Sequence, residues 1–326
     1  MEKQILGIGS ALVDALIQLE DNKLLENFGL LPGSMTLVDA ETSKKILDSS
    51  INLERTIVTG GSAANTIRAI TQLKGNAGFL GKIGIDDNGA FFRDEFERIG
   101  AMTHLVYGNI PTGLATTLIS PDSERTFGTY LGAASELSPL EISEDILSRY
   151  DFLHVEGYLV FNHGLIEAIL KMAKNTNLKV SLDMASFNVV ETNLDFLKYI
   201  TKEYVDILFA NEEEALSFTG FEPEKAVKEI AGMCEIAVVK IGRKGSLIQS
   251  GSAFIAVDTP KIECIDTTGA GDVYAAGFLY GLANGFSLSS CGNIGSMMAS
   301  RVIQVLGAKV PDHFIPEIIR EIEKLK

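Results

Sequence analysis

Cysteine and histidine are scarce in this chain. Its 326 residues hold three cysteines, Cys234, Cys264 and Cys291, and four histidines. No C-x-x-C pair occurs, so the common zinc and dithiol spacings are missing. An odd cysteine count suits reduced thiols and a cytoplasmic location rather than a disulfide framework. Proline is sparse at eight residues, and no low-complexity tract argues for disorder. With no fixed-period repeat and no Pro/Gly/Ser-rich linker, residues 1–326 are expected to form a single main domain. Positive charge is also short: 28 Lys and Arg face 43 Asp and Glu, a formal net charge of -15. That field repels phosphate backbones and anionic headgroups, so neither nucleic acid nor a membrane surface is an expected partner. Long apolar runs are missing too. The opening "QILGIGSALVDALI" is broken by Asp14, and no stretch reaches the roughly 18 residues of a membrane span.

What the chain does have is a hydrophobic fraction of 46%, enough to bury a large core. Short apolar runs, "QILGIG", "LKVSLD", "VDILFAN" and "EIAVVKIG", read as buried strands. Helical spacing lies between them. In "SAANTIRAITQLKG", Ala63, Ala64, Ile67, Ile70 and Leu73 share one face behind Ser62 as N-cap. In "DNGAFFRDEFERIG", Phe92, Phe96 and Ile99 do so, closed by Gly100. "HGLIEAILKMAKNTN" precedes "LKVSLD" as another helix–strand pair. The alternation predicts an α/β fold with a mainly parallel sheet covered on both faces. Two Thr-rich stretches, at about 12–40 and 105–131, alternate instead and predict half-exposed antiparallel strands forming a lid.

Function is concentrated in "IDTTGAGDVYAAGFLYGL", residues 265–282. Glycines ahead of a helix let backbone N–H groups converge, and the helix N-terminus adds positive potential, which together make an anion site. A lone carboxylate, Asp272, would be repelled by a bound phosphate. It makes sense if it takes the proton from a hydroxyl that attacks a phosphoryl group, while Gly269, Ala270 and Gly271 stabilise the transferring charge. The bland alternative is an Asp cap on a core helix. No G-K-[S/T] follows the glycines, so the loop is not a Walker motif.

The segment "DTTGAGDVYAAGF" resembles the signature of the ribokinase-like (PfkB) carbohydrate and nucleoside kinases. "GSALVD", "GGSAAN", "IGIDDNG", "PTGLATT", "VDILFANEEE" and "GNIGSMMASRVIQVLGAKVP" extend a resemblance to the adenosine kinase branch over nearly the whole chain. The resemblance implies a three-layer α/β/α fold with a small β-strand lid. It also implies a magnesium-dependent kinase that uses ATP on a small-molecule acceptor. On that basis Asp14 would hold two sugar hydroxyls, which a carboxylate can accept in bidentate fashion. Gly60 and Gly61 would let the sugar approach the backbone, and Asn65 would bond a further hydroxyl. Arg125 would contact phosphate from the lid as it closes. Asn211 and Glu214 of "NEEE" would organise magnesium, Glu214 through water. Lys240, Gly242 and Gly245 would line the nucleotide, with Thr267 as a donor and Ser296 near the base. Asp266 is a candidate for holding a monovalent cation, potassium in several relatives.

Sugar-kinase relatives often carry Lys where Ser62 stands, and Leu12, Met35, Leu37 and Phe127 would add apolar surface for a flat base. The resemblance therefore implies an adenosine 5′-phosphotransferase, with a kinase for ribose, fructose or a related sugar as the alternative. Ser10 and Ser296 depart from residues common in the branch, where Asn, and Asn or His, are frequent. A silent regulatory relative would be expected to have lost Asp14 or Asp272, and both are present. A dinucleotide reading of "GIGSAL" fails for want of a third glycine and a strand-end acid. Monomer and homodimer are both compatible with the sequence.

Overall fold

The computed structural model describes residues 3–122 and 124–325. Numbered in chain order, nine strands form the large sheet. They are β1 (Ile5–Ile8), β5 (Ala77–Gly84), β6 (Met102–Gly108), β9 (Phe152–Val155), β10 (Lys179–Asp183), β11 (Ile207–Asn211), β12 (Ile236–Lys240), β13 (Ser246–Ser250) and β14 (Ala253–Val257). Their spatial order is β14-β13-β12-β11-β10-β9-β1-β5-β6. Every pairing from β6 to β12 is parallel, as expected. The β12–β13 and β13–β14 pairings are antiparallel, an edge hairpin that hydrophobic runs alone did not reveal.

Period-two alternation explains how one strand serves two cores. Along β1, Leu6 and Ile8 face a core shared with Ile166 and Ile169 of the helix His163–Asn175. Ile5 faces a second core, built with Ile67, Phe92, Phe278 and Ile294 from helices Ser62–Gln72, Asp87–Arg98, Ala270–Ala283 and Leu288–Val302. Phe79, Phe92 and Phe96 are fully buried, and Phe92 stacks on Phe96 at 4.5 Å. Each such ring contributes on the order of 1.5–3 kcal/mol by leaving water. Helices thus cover both faces, the three-layer ribokinase-like arrangement.

A second sheet holds β2 (Leu12–Gln18), β3 (Met35–Leu37), β4 (Arg55–Gly60), β7 (Thr112–Ile119) and β8 (Arg125–Gly132), in the order β3-β8-β7-β2-β4. The expectation of antiparallel strands needs correction. β2–β4 and β7–β8 are antiparallel, but β2–β7 and β3–β8 are parallel. The reason is topological: β1 and β6 run in the same direction, and each leads within four residues into β2 or β7. Two boundaries also shift. Residues 105–108 belong to β6 in the large sheet, and β4 joins the small sheet from outside both Thr-rich stretches.

Candidate active site

The chain leaves β1 toward β5 on one side and returns to β9 on the other, so the strand order reverses between β1 and β9. In open α/β sheets, ligand crevices form outside the carboxyl ends of the strands at such a point. Residues at these strand ends converge here. Ser10 follows β1, Glu156 follows β9, Asp183 ends β10, Asn211 ends β11 and Lys240 ends β12.

Two cavities meet above them. The smaller, about 250 Å³, lies under the small sheet and is lined by Leu12, Asp14, Gly61, Ser62, Asn65 and Phe127 among others. The larger, about 1320 Å³, is lined by Asn211, Glu214, Lys240, Gly242, Gly245, Thr267 and Ser296 among others. Asp183, Ala185, Gly269 and Asp272 line both. Apart from Gly60 and Arg125, the expected acceptor residues and the expected nucleotide residues therefore fall in separate chambers that share Asp272.

Asp272 is not the helix cap. Gly269 caps the helix Ala270–Ala283 with φ 71°, a left-handed conformation that favours glycine, and a methyl there would run into Ala308. Asp272 sits in the first helical turn and reaches across to the helix Ser62–Gln72. Ser62 Oγ donates to its Oδ1 at 2.8 Å, and Asn65 Nδ2 donates to its Oδ2 at 2.9 Å. Burial is the main force that pushes the Asp272 carboxyl up, to about 6. Asp183 raises it too, while Asn65, Ser62 and Lys240 pull it back. Of the three expected loop amides, that of Ala270 is already used, donating to the Thr267 carbonyl at 3.1 Å. Gly269 and Gly271 have no backbone hydrogen bond from their N–H groups among the described residues.

Other expected roles change. Ser62 is not an N-cap, because Gly61 at φ 100° occupies that position and Ser62 opens the helix. Gly60 lines neither chamber: its bare Cα makes room for the Asp14 carboxylate packed against it. Asn65 spends both ends of its amide inside the protein, since its Oδ1 accepts from Arg68 Nη2 at 3.1 Å. Arg125 lines neither chamber. It forms a buried ion pair with Asp266, Nη2 to Oδ2 at 2.6 Å. Asp266 also accepts from Thr268 N at 3.0 Å and Gly307 N at 2.7 Å, so three partners already share its carboxylate. Ser296 donates to the Asp258 carbonyl at 3.0 Å and offers the larger chamber no free hydroxyl proton. Asn211 and Glu214 form a reciprocal capping box, with Glu214 Oε2 accepting from Asn211 N at 2.7 Å and Oε1 from Asn211 Nδ2 at 2.8 Å. Burial pushes the Glu214 carboxyl up to about 7. Among the described residues no group of three His, Cys, Asp or Glu is arranged to hold a metal. A metal that fits this donor set is one that arrives on phosphate oxygens.

Asp14 keeps its carboxylate free of protein hydrogen bonds among those described, and burial pushes it up to about 7. Arg68 and Arg125 oppose that shift, and Asp272 adds to it. Asp14 lines the smaller chamber, where its oxygens can accept from a donor.

Three residues were missed. Glu156 is buried, accepts from Ala63 N at 3.2 Å and from Ser10, and is pushed by burial up to about 7. Tyr158 follows it in the wall of the smaller chamber. Asp183 is buried and pairs with Lys240 at 3.0 Å. The signal was available: in "DFLHVEG" and "LKVSLD" an acid directly ends an apolar run, as Asn ends "VDILFAN".

Comparison with known proteins agrees with this geometry. Residues 34–313 match the pfkB family of carbohydrate kinases. The chain is 31% identical over 261 residues to the 5-dehydro-2-deoxygluconokinase of Bacillus subtilis, covering 75% of this chain and 80% of that protein. A probable sugar kinase from Rhizobium etli superposes with a TM-score of 0.90 at 30% identity, covering 99% of each chain. The adenosine kinase of Sinorhizobium meliloti superposes with a TM-score of 0.89 at 29% identity, covering 98% of this chain and 99% of that one. Among the described residues no helix is long and apolar enough to cross a membrane.

Proposed function

The chain belongs to the pfkB family and is a carbohydrate or nucleoside kinase, and we propose that it moves the γ-phosphoryl of MgATP to the 5′-hydroxyl of adenosine. The observation that carries the reading is Asp272 at the junction of the two chambers. Acceptor occupies the smaller chamber and nucleotide the larger, so the acceptor hydroxyl and the γ-phosphorus meet at one carboxylate.

Asp272 accepts the hydroxyl proton as the oxygen attacks in line. Ser62 and Asn65 fix its two oxygens, which removes rotational freedom from the base before the acceptor arrives. The free amides of Gly269 and Gly271, at the positive end of the helix Ala270–Ala283, receive the charge of the transferring group. Asp14 accepts from the ribose diol. Magnesium carried on ATP would neutralise phosphate charge, and the Asn211–Glu214 box lines the chamber that would receive it. On this reading residues 1–326 form one catalytic domain and the small sheet is its lid, which excludes water that would otherwise hydrolyse ATP.

The wall of the smaller chamber supports a nucleoside. Leu12, Met35, Leu37, Phe127 and Leu131 come from the small sheet and give apolar surface for a base. One observation favours a sugar instead: Glu156 and Ser10 make part of the same wall polar. ADP release with MgATP across adenosine, other nucleosides, ribose, fructose and 5-dehydro-2-deoxygluconate separates the two. Turnover confined to nucleosides is expected; turnover on a sugar alone refutes the adenosine assignment and leaves the transfer site intact.

A further inference from the structure

The point where the chambers meet is crowded with negative charge. Asp183, Glu214 and Asp272 all line the larger chamber, and the group to be transferred is itself anionic. Among the described residues of that wall, one half-buried cation stands beside them, with its side chain 15% exposed. Lys240 ends β12 and pairs through Nζ with Asp183 Oδ2 at 3.0 Å. The other cations of that wall, Arg243 and Lys261, are exposed. A methyl built on Gly271 would lie 2.9 Å from Lys240 Nζ. The ammonium therefore sits directly against Gly271, one of the two residues of the loop whose amides stay free.

Its partner is held with care. Asp183 Oδ1 accepts from the Ala185 amide at 3.0 Å, and Ala185 adopts φ 66°, left-handed backbone that a residue with a Cβ rarely enters. Such a conformation persists only where its surroundings enforce it, and it recurs at functional sites. Burial alone would push Lys240 down, but Asp183, Glu214 and Asp272 more than offset this and its ammonium is held above the ordinary lysine range.

Resting on the kinase reading above, we propose that Lys240 is a catalytic residue that bonds the terminal phosphoryl group of MgATP, and that Asp183 is the positioning residue that aims it. In the transfer, the acceptor oxygen forms the new P–O bond and the bond from the γ-phosphorus to the bridging oxygen breaks. The electron pair leaves on the β-phosphate of ADP, and the hydroxyl proton goes to Asp272. Lys240 keeps its proton throughout and shifts from Asp183 toward the phosphoryl oxygens. Because ADP lacks the group that Lys240 grips, the lysine distinguishes ATP from ADP. Residues that only stabilise the fold make no such distinction.

The test is isothermal titration calorimetry of the full chain with MgADP and with the magnesium complex of AMP-PNP, a non-hydrolysable ATP analogue. Wild type, Lys240→Met, Lys240→Arg and Asp183→Asn are compared. Lys240→Met is expected to lower AMP-PNP affinity at least about tenfold more than ADP affinity, the scale of one charge-assisted hydrogen bond. Lys240→Arg should restore most of the difference, and Asp183→Asn should show a smaller loss of the same kind. Equal loss of both nucleotides, or no loss of either, in Lys240→Met overturns the assignment. If that variant melts early, Lys240→Met combined with Asp183→Asn leaves no lone buried charge and carries the same comparison. Wild-type protein that binds neither nucleotide is a different result, and it overturns the kinase reading together with the inference built on it.

Discussion

Replacing Asp272 with Asn tests the chemistry at its centre. The change keeps the shape of the side chain and removes its ability to take a proton. A positioned general base contributes typically 10²–10⁴-fold, so turnover should fall by at least about 10²-fold. Stability should move little, because two effects oppose each other. Burial raises this carboxyl from 3.8 to about 6, so keeping it ionised at neutral pH costs the fold roughly 3 kcal/mol, which Asn avoids. Against that, Ser62 and Asn65 both donate to the carboxylate, and an amide can accept through only one oxygen. Asn65 cannot simply turn over to help, since its Oδ1 is held by Arg68. The new amide can give its oxygen to Asn65 and its N–H to Ser62 Oγ, which then accepts, so what is lost is the charge assistance of two hydrogen bonds, a cost of about 1–3 kcal/mol. Steady-state ADP release and a thermal melt at pH 7.5 measure both quantities. A folded variant retaining a third or more of wild-type turnover would show that Asp272 is not the base.

Two further predictions concern the buried charges. The carboxyls of Asp14, Glu156 and Glu214 are each pushed up to about 7 by burial, above their values in the unfolded chain. Stability present at low pH is therefore lost as pH rises through 7, at roughly 1 kcal/mol per group between pH 6.5 and 8. His154, pushed down to about 4, acts in the opposite sense but only below its unfolded value near 6.5. The ligand-free protein should thus melt at a higher temperature at pH 6.5 than at pH 8, and a flat or rising melt temperature across that range contradicts the burial of these groups. Arg125→Met should leave Asp266 buried without its counter-charge, a loss of about 3–5 kcal/mol by denaturant melt. Adding Asp266→Asn should recover part of it, and a single variant as stable as wild type refutes the ion pair.

Much of this was written in the sequence, in signals that are local. Apolar runs of strand length, separated by helices with a 3.6-residue period, determine parallel strands and covered faces, because a buried strand and an amphipathic helix each need the other. The loop at 265–272 shows its chemistry within eight residues, since an anion site and its base are both built at one helix N-terminus. What depends on partners distant in the chain was not legible. Ser62 reads as a cap until Asp272, 210 residues away, is seen accepting from it. Arg125 reads as a phosphate contact until Asp266 is seen taking its charge. Asp183 ends one ordinary-looking strand and Glu156 directly follows another, and only the order in which those strands lie side by side brings them to the switch point. The parallel pairing of β2 with β7 likewise follows from the common direction of the strands before them. The sequence by itself determined which residues could do chemistry; the tertiary structure decided which of them face a ligand and which are consumed by one another, because a side chain's hydrogen-bonding capacity is finite and its nearest partners come from elsewhere in the chain.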